Sequence, residues 1–156
     1  MRRKEREVKN FFEITEIIGR CRVCRIGFST AFAPYILPLN FGFFVDNENI
    51  TLYFHCANQG KKLDLLAKNP LVGWEMDCSH ALVEGDEACN YSMKYESVIG
   101  SGIASVVDDF SEKEKALTLI MKQYSSDKEF SFPEKAVNAV TVFKIEVSEY
   151  TAKRYL

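Results

Sequence analysis

Tyr35-Ile36-Leu37-Pro38-Leu39-Asn40-Phe41-Gly42-Phe43 is the stretch that decides the fold class. Successive side chains of a strand point to opposite faces, so Tyr35, Leu37, Leu39, Phe41 and Phe43 form one unbroken apolar face. Ile36, Pro38, Asn40 and Gly42 fall on the other face. Pro38 has no N–H for a ladder hydrogen bond, which puts this strand at an edge or a bulge. Downstream, Asp46-Asn47-Glu48-Asn49 is turn chemistry, and Thr51-Leu52-Tyr53-Phe54-His55 returns as the second arm of a hairpin. Upstream, residues 21–28 have the same period, with Cys24, Ile26 and Phe28 on one face and Arg25 and Gly27 on the other.

Further out, the period changes. Over residues 5–18, Val8, Phe11, Ile14 and Ile18 recur every three or four positions, which predicts an amphipathic helix ending at Gly19. Asn58 is the expected N-cap of a short helix whose Leu63, Leu66 and Ala67 share a face, and Asn69-Pro70 stops it. A strand over 71–77 precedes an acidic, irregular loop over 78–91, and a long strand over 97–107 contains Gly100-Ser101-Gly102. Ser111-Glu112-Lys113-Glu114 reads as a capping box opening a helix with Leu117, Ile120, Met121 and Tyr124 on one side, and the last strand covers 140–147. Hairpin-joined strands with inserted helices argue for an antiparallel α+β barrel rather than a doubly wound parallel sheet.

The length of 156 residues suits one domain, 1–156. Twenty Lys and Arg against 22 Asp and Glu leave a net charge of −2, so nothing draws the chain to nucleic acid or anionic lipid. No run approaches the roughly 20 apolar residues of a membrane span. Phe11-Phe12-Glu13-Ile14-Thr15-Glu16 follows the basic start with acids instead of a signal peptide's apolar run, so a cytoplasmic protein with reduced thiols at Cys21, Cys24, Cys56, Cys78 and Cys89 is expected.

Lysines are disfavoured in a helix's first turn, where free amides already present partial positive charge. Gly60-Lys61-Lys62 therefore reads either as a phosphate cradle or as two solvated lysines. His55 ends a strand just before that helix and could orient a ring or donate a proton there, or be structural. Cys21 and Cys24, placed on one strand, would point to opposite faces and neither chelate nor bond. Cys78, His80 and Cys89 lack a fourth ligand and a zinc-module spacing, so no metal is expected. Gly100-Ser101-Gly102 lacks the later Gly and the helix of a dinucleotide fingerprint, and reads as a bend or a close approach.

The succession of Pro34-Tyr35-Ile36-Leu37-Pro38-Leu39-Asn40-Phe41-Gly42, Leu52-Tyr53-Phe54-His55-Cys56-Ala57, Gly60-Lys61-Lys62-Leu63-Asp64-Leu65-Leu66 and Tyr91-Ser92-Met93-Lys94-Tyr95-Glu96-Ser97-Val98-Ile99-Gly100-Ser101-Gly102 carries a family resemblance. The chain resembles the nitroimidazole-resistance (Nim-type) branch of the pyridoxamine 5′-phosphate oxidase-like, FMN-binding split barrels. The resemblance implies a mainly β, α+β fold: a six-stranded antiparallel split β-barrel with Greek-key character and flanking helices. It implies a homodimer with FMN, or FAD as the alternative, in two interfacial clefts. The flavin ring falls to Tyr35, Ile36, Leu37, Pro38 and Asn40 and to Phe54, His55, Cys56 and Ala57, and the phosphate to Gly60, Lys61 and Lys62. The partner chain would contribute contacts at Ser97 and Val98. Activity would be an FMN-dependent reduction of a small planar acceptor, a nitroimidazole or other nitroaromatic, by a nicotinamide or other reductant, with His55 supplying a proton. Relatives often have Arg where this chain has Glu96, so a cationic contact to flavin or substrate is in question. The competing readings are a non-catalytic flavin- or haem-binding module, and pyridoxamine-phosphate oxidation, for whose second phosphate the tail offers only Lys153 and Arg154.

Overall fold

Asn10 caps the first helix, its side-chain oxygen accepting from the Glu13 amide at 3.2 Å. The chain is described by a computed structural model over residues 3–125 and 127–156. That helix, α1 (Phe11–Arg20), buries Ile14, Ile17 and Ile18 and is shorter than the expected 5–18 at its start. Lys4–Arg6 form a single 3₁₀ turn, and Glu7–Val8 (β1) pair with Lys153 and Ala152 instead of joining the helix. Cys21 is the C-cap of α1, not a strand residue as expected. Strand β2 begins only at Cys24 (Cys24–Phe28) and buries Cys24, Ile26 and Phe28 as their alternation requires.

The expected continuous strand over 35–43 is two strands, β3 (Tyr35–Leu39) and β4 (Gly42–Asp46). The alternation survives the break, but the pairing partner changes: β3 pairs with β2, and β4 with β5 (Asn49–Cys56). Phe41 sits fully buried at the break, its amide donating to the Tyr124 hydroxyl at 3.0 Å. At Gly42 the packed helix comes so close that an added Cβ would lie 2.4 Å from the Ile120 nitrogen. Pro38 lies on an edge strand, where its missing donor costs no ladder bond.

Helix α2 (Lys61–Lys68) is capped by Gly60 rather than Asn58, whose side-chain oxygen instead accepts from the Thr141 hydroxyl at 2.9 Å. Strands β6 (Leu71–Val83) and β7 (Ser92–Val107) pair well beyond their expected ends, so residues 78–83 of the expected loop over 78–91 are strand and only the remainder connects the hairpin. A register shift between Cys78 and Ala81, with Ser79 at φ 59°, breaks the period-2 pattern there and hides the strand from sequence. Helix α3 (Phe110–Tyr124) starts two residues before the expected box: Asp109 accepts from the Glu112 amide at 2.8 Å. A short helix α4 (Glu134–Asn138) leads into β8 (Thr141–Tyr155), which runs past the expected 147 because it stays paired with β7 as far as Tyr155.

One antiparallel sheet results, in the order β3-β2-β6-β7-β8-β5-β4 with β1 against β8. It has eight strands and an open path, not the six of a closed barrel. The extra strands come from the break at Asn40-Phe41 and from the two-residue β1. The main core packs α1 against the sheet around Ile17, Ile26, Phe54, Trp74, Met76 and Phe143. A second cluster, Tyr53, Val107, Leu117, Ile120, Val137 and Val142, joins α3 and α4 to β5 and β8. Gly100-Ser101-Gly102 marks a bulge: the register shifts between Ser101 and Gly102, where a Cβ would lie 2.4 Å from the Glu146 carbonyl oxygen. The expected bend is this bulge, and the close approach is made by the β8 backbone of the same chain.

Candidate flavin site

Gly60 sits at φ 144°, a conformation open to glycine, and turns the chain from β5 into α2. Having no side chain, it offers α2 no side-chain cap: its carbonyl takes the Leu63 amide at 2.9 Å, and the Lys61 and Lys62 amides are left without one. Lys61 projects from that turn with its ammonium 4.3 Å from the centre of the Tyr35 ring. Lys62 is half-buried beside it, close enough to Cys56 to act on its thiol. Burial pushes the Cys56 thiol up, and the Lys62 ammonium only partly offsets this, so Cys56 is a packed, protonated thiol. Uncapped amides, a Cβ-free turn and two ammonium groups suit a phosphate, so the residues present fit the phosphate end of a flavin nucleotide.

Strand alternation sorts the remaining candidates. Tyr35 and Leu37 turn inward against the main core, as do the wholly buried Phe54 and Val98, with Phe54 stacked 5.0 Å from Phe143. Phe54 and Val98 are each 0% exposed, main chain included, so neither presents an atom at the protomer surface. Ile36, Pro38 and Ser97 share the outer face, linked through the registers Ile36↔Gly27↔Gly73↔Ser101 and Pro38↔Arg25↔Glu75↔Ile99. Around Ile36 this face forms a shallow cavity of about 290 Å³ with Gly27, Gly73, Trp74 and Ile99. Asn40 and Ala57 are exposed, and Asn40 donates to the Arg22 carbonyl at 3.3 Å. His55, between the inward Phe54 and Cys56, lies on the opposite side of β5 and lines a separate cavity with α3 and α4. The structure thus brings Tyr35 to Lys61 and Ile36 and Pro38 to one face with Ser97, while His55 stands on the far side of the strand.

Sequence reasoning missed the charged hub at Glu96. This carboxylate is 3% exposed. It accepts from Ser79 at 2.7 Å, from Arg154 at 2.7 Å and from Arg20 at 2.9 Å. Burial alone would raise its pKa, but the hydrogen bonds from Ser79, Arg154 and Arg20 prevail and hold it below the ordinary carboxylate value. A second Arg154 nitrogen donates to Glu13 at 2.7 Å, so the hub ties α1, β6, β7 and β8 together. The signal was available: Glu96 is in phase with the inward Val98, and an acid on a core face must be paired. Of the cysteine and histidine loop, Cys78 points toward the Ile17 carbonyl, His80 pairs with Asp77 at 2.9 Å, and Cys89 is exposed on a 3₁₀ turn (Ala88–Asn90). Among the described residues no group of three or more such side chains could hold a metal ion.

The family model for pyridoxamine 5′-phosphate oxidase matches residues 12–154. The chain belongs to this family. Within it, the nitroimidazole-resistance branch is the one it resembles: a Bacteroides thetaiotaomicron VPI-5482 structure, described as a candidate 5-nitroimidazole antibiotic resistance protein, is 33% identical. That match covers 94% of this chain and 85% of the other, with a TM-score of 0.80. Two more distant structures share the oxidase-family fold. The flavocytochrome Anf3 of Azotobacter vinelandii has a TM-score of 0.79 at 16% identity, covering 100% of this chain and 72% of its own. The FAD and heme binding protein of Mycobacterium smegmatis has a TM-score of 0.79 at 14% identity, covering 96% and 73%. Among curated proteins, none matches. No described helix is long and apolar enough to cross a membrane.

Proposed function

We propose that this member of the oxidase family is a flavin-dependent oxidoreductase that reduces a small planar acceptor, a nitroimidazole or other nitroaromatic. The reductant is a reduced nicotinamide or another two-electron donor. The carrying observation is the cradle at Gly60-Lys61-Lys62, where an uncapped helix start and two ammonium groups meet in a chain of a flavin-binding family. When bound, FMN supplies the electron-transfer chemistry, with FAD as the alternative.

The chain's own residues bind and orient. Amides at the start of α2, with Lys61 and Lys62, hold the phosphate. Tyr35 fixes the Lys61 ammonium through its ring face, and Ile36 and Pro38 offer an outward apolar edge on which a flat ring can rest. In this reading the protein is a cytoplasmic homodimer, and Ser97 completes the partner's cleft while the buried Val98 holds the strand in place behind it. His55 is exposed on the opposite side of β5 from Phe54 and Cys56, so in this reading it gives a proton only to a product that reaches that side of the strand.

Purification without added cofactor, a visible absorption spectrum and mass identification of any released chromophore test the reading first. About one FMN per chain is the expected result, followed by nicotinamide-dependent loss of a nitroaromatic. A colourless protein that takes up neither FMN nor FAD overturns the proposal. One flavin per chain with no turnover of nitroaromatics leaves the binding-module reading, which the fold shared with flavin- and haem-binding proteins supports.

A further inference from the structure

Two thiols from separate parts of the chain meet beside the Glu96 hub. Cys21 ends α1, its amide donating to the Ile17 carbonyl at 3.2 Å, and Cys78 arrives on β6 with its Sγ 3.9 Å from that same carbonyl oxygen. Both pack in the main core, where α1 lies across the inner face of β6 and β7. The two thiols share a hydrogen bond, and burial together with the neighbouring Cys78 pushes the Cys21 thiol up. Their exposure differs. Cys21 is 0% exposed, whereas Cys78 is half-buried, with the Glu96 carboxylate at 3.9 Å and the Ser79 hydroxyl at 3.6 Å from its sulfur. The sequence pattern groups Cys21 with Cys24 and Cys78 with Cys89, but the fold brings Cys21 to Cys78.

We propose that Cys21 and Cys78 form a reversible disulfide in response to hydrogen peroxide, and that this bond clamps the end of α1 to β6. Cys78 meets the oxidant first, because it alone of the pair reaches solvent. Its thiolate attacks one peroxide oxygen and the O–O bond breaks. The departing hydroxide leaves as water with the proton Cys78 gave up, and Cys78 becomes a sulfenic acid. The Cys21 sulfur then attacks the sulfenyl sulfur: an S–S bond forms, the S–O bond breaks, and the hydroxyl leaves as a second water with the Cys21 proton. Two thiols are oxidised and one peroxide is reduced to two waters. Burial keeps Cys21 protonated and away from oxidants in solution, so it reacts only with the sulfur already against it. A bond between α1 and β6 closes a long loop of chain, which stabilises the fold chiefly by restricting the unfolded chain.

The clamp stands whether or not flavin binds, and its test uses no turnover. The full chain carries Cys89→Ser, which removes the exposed cysteine of the connecting turn and touches neither thiol of the pair. Hydrogen peroxide is added in slight molar excess, free thiols are alkylated in denaturant, and tryptic peptides are mapped by mass without reductant. Cleavage after Arg20 and Arg22 separates Cys21 from Cys24, so each is read independently. The expected product is the Cys21 peptide joined to the Cys78 peptide with the loss of two hydrogens, released again by dithiothreitol. The oxidised chain is expected to melt roughly 5 °C above the reduced one. Cys21→Ala should halt oxidation at a Cys78 sulfenic acid that dimedone traps. If that buried variant does not fold, Cys78→Ser at the half-buried position should abolish every peroxide-dependent bond within the chain. Cysteines that all end alkylated or singly oxidised, a bond from Cys78 to Cys24 or Cys56, or a Cys21–Cys78 bond that leaves the melting temperature unchanged or lower each overturns the proposal.

Discussion

Glu96 remains charged inside the protein because three side chains, Ser79, Arg20 and Arg154, take up its oxygens. The consequence for stability follows from the sign of its shift. A carboxyl whose folded value lies below its ordinary 4.5 contributes fully above that pH and loses its contribution as pH falls through the folded value. Thermal melts are therefore expected to show an acid-side loss of stability that begins near pH 4.5 and that Glu96→Gln flattens. Removing one partner of a buried pair strands the other charges, so Glu96→Ala should cost about 3 kcal/mol in urea denaturation at neutral pH. A cost under about 0.5 kcal/mol would show that Arg20 and Arg154 are satisfied by water instead. At Gly102, Ala has no room beside the Glu146 carbonyl oxygen, and Gly102→Ala should destabilise by about 2 kcal/mol or more in the same measurement. The glycines of Gly100-Ser101-Gly102 were legible as a bend, while the partner in the close approach, the backbone of β8, was not. It did not reveal the hub, since Arg20, Ser79 and Arg154 meet Glu96 only once four elements are folded together.

Helix α2 shows how one element carries the function. Its expected cap, Asn58, would have spent a side-chain oxygen on a first-turn amide, whereas Gly60 takes only the Leu63 amide, through its carbonyl, and gives those of Lys61 and Lys62 no side-chain cap. Each charge-assisted bond to a phosphate is worth about 1.5–3 kcal/mol, so Lys61→Ala and Lys62→Ala should each weaken FMN binding by roughly 10- to 100-fold. Isothermal titration of the apoprotein measures this, and unchanged affinity in the double variant removes the phosphate assignment. In α3 the cap is an ordinary one: Asp109→Ala should cost about 1 kcal/mol and leave flavin affinity alone. Elements with an intact period were legible, as β2 and the buried face of α1 show. Those that failed did so for local reasons. The break between β3 and β4 is set by α3 packing onto Gly42, and the β6–β7 hairpin is masked by the bulge at Ser79. Strand β8 was cut short because its second half, from Ser148 on, alternates only weakly and is held by pairing with β7.

At the scale of the whole molecule, the sheet has an inner face covered by α1 and an outer face that, among the described residues, stays exposed at Ile36 on β3 and Ile99 on β7. Side chains on that outer face include Ile36, 63% exposed, and Ile99, 50% exposed, with the Arg25 ion pairs to Glu75 and Asp77 at 3.1 and 2.6 Å between them. Residues of the proposed flavin cleft from two parts of the chain, Ile36 and Pro38 on β3 and Ser97 on β7, lie on this one surface. The two intervening strands, β2 and β6, keep Ser97 away from β3 within a protomer: Pro38 aligns with Arg25, Glu75 and then Ile99. Two copies packed through this face would let the Ser97 region of one approach the β3 edge of the other, so one surface would bury the apolar residues and complete the cleft. Ile99→Arg tests both parts together, because a half-exposed position tolerates the change in the isolated protomer to within about 0.5 kcal/mol. The variant should sediment as a monomer, melt near the wild-type temperature, and bind FMN at least tenfold more weakly. An Ile99→Arg protein that stays dimeric moves the interface off this face. One that is monomeric yet binds FMN with full affinity keeps the interface but places the whole flavin site within a single chain, with Lys61 and Lys62 as its anchor.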